Sequence, residues 1–121
     1  MPKILVIDDD ADIRKLLKIR LGNEGYETAF AWDAVTALTI ARKESPDLIV
    51  LDLGLPGGDG YVVMERLQTL APFAMIPIVV LSAQPINPNA EKSLAAGATA
   101  FVEKPFEMET LLAALRDALG S

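Results

Sequence analysis

Short apolar runs alternate along the chain with stretches whose apolar residues recur at helical spacing. The clearest runs are "KILVID", "DLIVLD" and "PIVVLS", with "YETAF" and "TAFVE" weaker. Short, β-branched and nearly continuous apolar runs are typical of strands buried on both faces of a sheet. A strict alternation of strand and helix favours a parallel sheet that is covered by helices on both sides.

Right-handed crossovers leave few ways to connect five such strands. The α/β arrangement that we predict is a flavodoxin-like, doubly wound, five-stranded parallel sheet of order 2-1-3-4-5, with five helices. In this order the first and third strands are neighbours. Ligands of such folds bind where the carboxyl ends of these two strands flank the point at which the strand order reverses.

Capping residues predict where several helices begin and end. Asp10 and Asp33 are expected to cap the first and second helices, and Gly22 to end the first. Asn87-Pro88 predicts the start of a fourth helix, which ends near Gly97. The last helix has a strong apolar stripe, at Met108, Leu111, Leu112, Leu115 and Leu119.

The composition restricts the chemistry that the chain can perform. It has no cysteine and no histidine, which excludes thiolate sites, histidine-ligated zinc and catalysis by a histidine base. A net charge of −6 makes nucleic acid an unsuitable direct partner of this domain. No apolar run has membrane-spanning length, and the apolar run at the N-terminus, in "MPKILVI", is too short for a signal peptide. We therefore predict a cytoplasmic protein with no membrane partner.

The 121 residues are interpreted as a single domain, 1–121. We find no internal repeat and no linker between domains in the sequence. Residues 119–121 are interpreted as a tail, the start of a linker or an expression scar.

Aspartates crowd the end of the first predicted strand, in "VIDDDADIR". Asp10 and Asp12 fit the cap and first turn of the following helix, where carboxylates are favoured. Asp8 and Asp9 end the first strand, and Asp52 ends the third. If these strands are neighbours, three carboxylates converge, and oxygen ligands without histidine or cysteine suit Mg²⁺ or Mn²⁺.

Two further polar residues lie at matching strand ends. Ser82 follows the fourth strand, and Lys104 follows the fifth, just before Pro105. Taken singly, a serine here is an ordinary turn residue and a lysine an ordinary surface residue. Together with a carboxylate–metal cluster, a hydroxyl and an ammonium form a site suited to phosphoryl transfer.

Four motifs give the chain a family resemblance. "ILVIDDD", "DLIVLDLGLPGGDG", "PIVVLSA" and "GATAFVEKPF" resemble the successive motifs of the response-regulator receiver domain of two-component signalling. The resemblance extends from about Lys3 to Leu119 and implies that Asp52 is the phosphoacceptor. It also implies Mg²⁺ ligands: Asp9 directly, Asp8 through water, Asp52, and the backbone carbonyl of Gly54.

The resemblance assigns roles to three more positions. It implies that Ser82 is the switch hydroxyl, Phe101 the switch aromatic residue and Lys104 the phosphoryl-binding lysine. It also implies a cis peptide bond between Lys104 and Pro105.

By the same resemblance, the phosphoryl donor is a histidine kinase or a histidine phosphotransfer protein. The chain is then a phosphorylation-controlled module rather than an enzyme, although it assists its own phosphorylation and dephosphorylation. The expected output is a switch of the face formed by the fourth helix, the fifth strand and the fifth helix, acting on a downstream effector or a fused output domain. Within it, residues 84–96 are expected to be the internal segment least protected from hydrogen exchange, because the helix is short.

Some positions depart from the family pattern. Thr99 and Ala100 replace an acidic pair, and the fifth helix has Arg116 as its only basic residue, so a monomer is expected rather than a charge-paired dimer.

Two other functions remain open. A haloacid-dehalogenase-type hydrolase needs Asp-x-Asp and then Thr or Val, but Asp12 occupies that last place. A receiver-like module that is never phosphorylated would have the same fold.

Overall fold

The structure is a computed structural model of the 121-residue chain. It describes residues 2–54, 60–69, 75–82 and 97–120. Its strands form one five-stranded parallel sheet in the order β2-β1-β3-β4-β5, which confirms the predicted topology. The strands are β1 (Lys3–Ile7), β2 (Glu27–Ala31), β3 (Leu48–Asp52), β4 (Ile78–Ser82) and β5 (Ala100–Glu103).

The described helices follow strands β1, β2, β3 and β5. They are α1 (Ala11–Asn23), α2 (Ala34–Glu44), α3 (Gly60–Thr69) and α4 (Met108–Leu119). The last of these, α4, is the fifth helix predicted from the sequence. The predicted fourth helix and the segment 84–96 lie outside the described residues. Every helix of the described part is too short or too polar to cross a membrane.

The sheet separates two apolar clusters, because alternate residues of each strand point to opposite faces. Ile4 and Val6 of β1 pack with α1 and α4, whereas Leu5 and Ile7 pack in the cluster that includes α2 and α3. All four side chains are fully buried. Burial on both faces explains why these strands are continuous apolar runs rather than alternating ones.

The two predicted helix caps are present. Asp10 accepts hydrogen bonds from the backbone N–H groups of Asp12 and Ile13, at 2.9 and 3.3 Å. Asp33 accepts from the backbone N–H of Thr36 at 2.7 Å, and from its hydroxyl. These bonds to the backbone and side chain of Thr36 lower the pKa of Asp33.

The predicted end of the first helix at Gly22 is wrong. Helix α1 runs through Gly22 to Asn23, and the left-handed turn occurs at Gly25, with φ 89°. Glycine inside a helix costs only about 1 kcal/mol, so packing of the buried face can carry the helix past it. Gly25, by contrast, has the positive φ that glycine adopts without strain.

The strand register brings the predicted site residues to one edge of the sheet. Ile7 of β1 pairs with Leu51 of β3, so the next residues, Asp8 and Asp52, end adjacent strands. Asp52 in turn pairs with Leu81, one residue before Ser82. The carboxyl ends of these parallel strands therefore meet at a single edge.

Candidate functional site: an acidic cluster at the sheet edge

Three carboxylates converge at this edge. Asp8, Asp9 and Asp52 each offer a carboxylate oxygen, and these oxygens lie within 4.8 Å of one another. Asp8 is fully buried and Asp52 is 7% exposed, whereas Asp9 is exposed. The cluster is thus buried on the side of Asp8 and Asp52 and open to solvent on the side of Asp9. Its spacing allows one cation to contact all three groups.

Asp8 is held in place from several directions. Its Oδ1 accepts from the backbone N–H of Asp10 at 2.9 Å, and its own backbone N–H donates to the carbonyl of Ala31 at 3.1 Å. The guanidinium of Arg14 donates to the backbone carbonyl of Asp8 at 2.8 Å. The contact from Arg14 was not predicted; its only sequence signal is a basic residue one turn after the Asp10 cap.

Lys104 reaches into the cluster from β5. Its Nζ lies 2.8 Å from Oδ2 of Asp8 and 3.6 Å from Oδ2 of Asp52, and its side chain is 17% exposed. Its backbone N–H donates to the carbonyl of Ser82 at 2.7 Å, and the Lys104–Pro105 peptide bond is cis. Burial alone would lower the pKa of Lys104, but its hydrogen bonds and attraction to the two carboxylates outweigh burial and raise it.

The charged form of Asp52 is disfavoured at this site. Burial raises its pKa, and the negative charges of Asp8 and Asp9 act in the same direction. The backbone N–H of Gly54, which donates to Oδ1 at 3.1 Å, and the charge of Lys104 oppose this rise. A further positive charge at the cluster would therefore stabilise Asp52 as a carboxylate.

The cluster fits a divalent cation in charge and in chemistry. Three carboxylates and the ammonium of Lys104 leave two negative charges in excess when all are ionised. Carboxylate and carbonyl oxygens are the ligands that Mg²⁺ prefers, and no histidine or cysteine is present in the sequence to favour zinc. Mn²⁺ accepts the same oxygen ligands.

Ser82 and Phe101 lie on neighbouring strands near the cluster. Ser82 ends β4 with 2% of its surface exposed, one residue beyond the partner of Asp52. Phe101 lies within β5 and packs, half-buried, against the apolar cluster that includes α2 and α3. The structure thus brings Ser82 to the same edge as the acids, whereas Phe101 lies earlier on its strand than Lys104.

Gly60, the first residue of α3, contacts the backbone that carries Asp52. Its N–H donates to the carbonyl of Leu53 at 3.0 Å. A Cβ at Gly60 would lie 2.5 Å from Cα of Leu53 and 2.9 Å from the carbonyl oxygen of Asp52. This close approach was not predicted. Its only sequence signal is a glycine at the end of the glycine-rich stretch "GLPGGDG".

Comparisons with known proteins agree with this geometry. The family model described as "Response regulator receiver domain" matches residues 4–116. A curated relative from Synechocystis sp., the DNA-binding dual master transcriptional regulator RpaA, is 39% identical over 116 residues, which cover 96% of this chain and 48% of the relative. The chain spans about half the length of the curated relatives it matches.

Solved structures match the fold along nearly the whole chain. A putative response regulator from Chloroflexus aurantiacus has a TM-score of 0.93 at 31% identity, covering 99% of this chain and 98% of that one. The receiver domain of sensor histidine kinase PA1611 from Pseudomonas aeruginosa has a TM-score of 0.89 at 27% identity, with coverage of 99% and 98%. That structure has a magnesium ion coordinated in the active site cleft.

The family model includes the strand ends that carry the cluster, from Asp8 to Lys104. The observed strand order is the order predicted from the alternation of strands and helices in the sequence. This chain therefore belongs to the response regulator receiver domain family, the phosphorylation-controlled modules of two-component signalling.

Proposed function

We propose that Asp52 accepts a phosphoryl group from a phosphohistidine of a histidine kinase or a histidine phosphotransfer protein. A carboxylate oxygen of Asp52 forms the new bond to phosphorus, the bond between phosphorus and the donor nitrogen breaks, and the donor imidazole leaves. The observation that supports this best is the convergence of Asp52 with Asp8, Asp9 and Lys104 at an edge open to solvent. The absence of histidine from this chain is consistent with a donor histidine in the partner.

The residues proposed to hold Mg²⁺ are Asp8, Asp9, Asp52 and the backbone carbonyl of Gly54. Asp9 is assigned as a direct ligand and Asp8 as a ligand through water. When bound, the cation would supply positive charge to the oxygens of Asp52 and of the phosphoryl group. Mn²⁺ is proposed as an alternative, because it uses the same ligands.

The remaining groups of the site orient Asp52 and offset charge. The N–H of Gly54 holds one oxygen of Asp52, and Lys104 faces the other at 3.6 Å. As the phosphoryl group arrives, the ammonium of Lys104 is close enough to offset the charge on its oxygens. The proposed role of Ser82 is to donate its hydroxyl to a phosphoryl oxygen, and that of Phe101 is to follow the movement of Ser82.

An apolar groove beside the cluster supports a protein donor. It has a volume of about 340 Å³ and is lined by Ile13, Leu16, Lys104, Pro105 and Phe106. Leu16 is 42% exposed, although it is a large apolar residue. Because Lys104 belongs both to this groove and to the cluster, a helix seated in the groove would carry its histidine close to Asp52.

The experiment that tests this proposal is intact-mass measurement after incubation with Mg²⁺ and a small phosphodonor. We expect one phosphoryl adduct, which Asp52→Asn abolishes and which Asp47→Asn, an exposed carboxylate elsewhere, retains. An adduct that persists in Asp52→Asn would contradict the assignment. Turnover of varied phosphate esters would favour a hydrolase, and no adduct even with a cognate kinase would favour a module that is never phosphorylated.

The cation should stabilise the fold. Mg²⁺ binding to the native cluster relieves repulsion among the carboxylates, and at ten times its Kd it should add about 1.4 kcal/mol to the free energy of unfolding. Asp9→Ala should remove most of this gain, because Asp9 is the proposed direct ligand of the cation. Thermal melts with Mg²⁺ and with a chelator measure both effects. An unchanged melting temperature in millimolar Mg²⁺ would mean that the cluster does not bind the ion.

Position 54 is proposed to control the lifetime of the phosphoryl group. A Cβ at Gly54 would lie 3.7 Å from Oδ1 of Asp52, an ordinary contact, so a side chain fits there and would cover the carboxylate. We expect Gly54→Met to lose its phosphoryl group more slowly than the native chain. The decay of the adduct by intact mass measures this, and equal rates in the two proteins would show that position 54 does not control access of water.

The output is proposed to be a fused output domain or a separate effector. The relatives' greater length supports a fused domain, and the relative RpaA is named as DNA-binding. Because this chain has a net charge of −6, we assign no nucleic-acid contact to the domain itself. We further propose that the chain is a monomer and lies in the cytoplasm. Its proposed switch acts through the predicted fourth helix, β5 and α4.

A further inference from the structure

A second groove lies between α1 and the end of β2. It has a volume of about 270 Å³ and is lined by Ala11, Arg14, Lys15, Lys18, Phe30 and Trp32. At 100° per residue, the α1 residues of this groove lie on the flank opposite to Ile13 and Leu16, which line the apolar groove. An occupant of the second groove would therefore leave the apolar groove free.

The second groove concentrates positive charge in an acidic domain. Three of the 11 Lys and Arg residues line it, although the chain has a net charge of −6. Arg14 is fixed in orientation by its hydrogen bond to the carbonyl of Asp8. Within the described part of the chain, Lys15 and Lys18 take part in no ion pair, so both ammonium groups are available to an incoming anion.

The groove also presents aromatic surface. Trp32 is 50% exposed, and its backbone N–H donates to the hydroxyl of Thr36 at 3.4 Å, which ties it to the first turn of α2. Phe30 is half-buried and packs against the core beneath α1. An exposed tryptophan on an anchored backbone offers a large apolar contact with little loss of conformational entropy.

We propose that this groove binds an acidic peptide segment of a partner protein. Its carboxylates pair with Lys15 and Lys18, and one apolar side chain packs against Trp32. The concave shape fits a segment of chain rather than the flat surface of a lipid bilayer.

The test uses the single tryptophan of the chain as the reporter. The probe is a short peptide of glutamates with a central leucine, and the charge-reversed control has lysine in place of each glutamate. We expect saturable quenching or a blue shift of Trp32 fluorescence with the glutamate peptide, weakened by added salt, and none with the lysine peptide. No saturable change with the glutamate peptide would overturn the proposal.

Matched variants locate the binding. The double variant Lys15→Gln with Lys18→Gln should bind the glutamate peptide about fivefold more weakly, as expected for the loss of two exposed charge pairs. Arg42→Gln with Lys43→Gln removes the same charge from exposed positions of α2 and should leave the affinity unchanged. Equal affinity in the two double variants, or binding only to vesicles that contain phosphatidylserine, would contradict a peptide groove. Both variants should still form the phosphoryl adduct, so this result is independent of the proposed phosphorylation.

Discussion

Replacing Lys104 by methionine should lower the free energy of unfolding by about 3 kcal/mol when a chelator removes divalent cations. The variant has an unbranched side chain only one atom shorter, but it leaves the buried carboxylate of Asp8 without its partner at 2.8 Å. We expect the lower end of the range for breaking a buried ion pair, because Asp8 keeps the hydrogen bond from the backbone of Asp10. Urea denaturation at neutral pH measures the loss.

A more exposed ion pair provides the matched control. Lys3 lies 3.2 Å from Glu44, but their side chains are 30% and 29% exposed, so Lys3→Met should cost less than about 1 kcal/mol. Adding Asp8→Asn to Lys104→Met should recover much of the loss, because Asp8 is then no longer a buried charge without its partner. Equal losses in Lys104→Met and Lys3→Met would show that the pairing with Asp8 does not stabilise the fold.

The pH dependence of this stabilisation follows from the raised pKa of Lys104. A cationic group whose pKa is higher in the folded state contributes its full stabilisation below its unfolded pKa. The contribution is lost only as the pH rises through the folded value. The difference between the native chain and Lys104→Met should therefore be constant near neutral pH, and on the alkaline side it should shrink only in strongly alkaline solution.

Gly60→Ala should destabilise the protein by about 3 kcal/mol, because the added methyl group overlaps backbone atoms that cannot rotate away. The nearest is Cα of Leu53, at 2.5 Å, and the carbonyl oxygen of Asp52 is at 2.9 Å. Relief of the overlap requires α3 or the end of β3 to shift, and that shift would displace Asp52. The midpoint of unfolding by denaturant and the yield of phosphoryl adduct should both fall.

Gly22 is the control for a glycine at an unconstrained position. A Cβ there meets nothing within 4 Å, so Gly22→Ala should stabilise α1 by about 0.5–1 kcal/mol through its higher helix propensity. The two substitutions are thus expected to change the free energy of unfolding in opposite directions. A Gly60→Ala variant as stable as the native chain would mean that α3 and the end of β3 can move apart at little cost in free energy.

The sheet and the acidic cluster were predictable because they depend on patterns that the sequence carries directly. Apolar runs mark the buried strands, and right-handed crossovers leave few strand orders, of which 2-1-3-4-5 is a common one for five strands. Once β1 and β3 are neighbours, the positions of Asp8 and Asp52 at their carboxyl ends bring the two residues together. The pairing of Lys104 with Asp8, across 96 residues, is a consequence of the same topology.

Features that depend on close three-dimensional contact were not predictable. The sequence does not show that Gly60 packs on the backbone of Leu53, since a glycine in a loop usually indicates only a turn. Gly22 was expected to end α1, but packing carries the helix to Asn23. The groove beside Trp32 forms only because β2 ends next to α1, a proximity that no periodic pattern encodes.

The most direct test of the account is to locate the phosphoryl group. Borohydride reduces an acyl phosphate of aspartate to homoserine, which remains in the chain after proteolysis and can be placed by peptide mass spectrometry. After incubation with Mg²⁺ and a phosphodonor, we expect homoserine at position 52 and aspartate at positions 8 and 9. Homoserine at position 8 or 9, or a phosphorylated protein that yields no homoserine, would contradict the assignment of Asp52 as the phosphoacceptor.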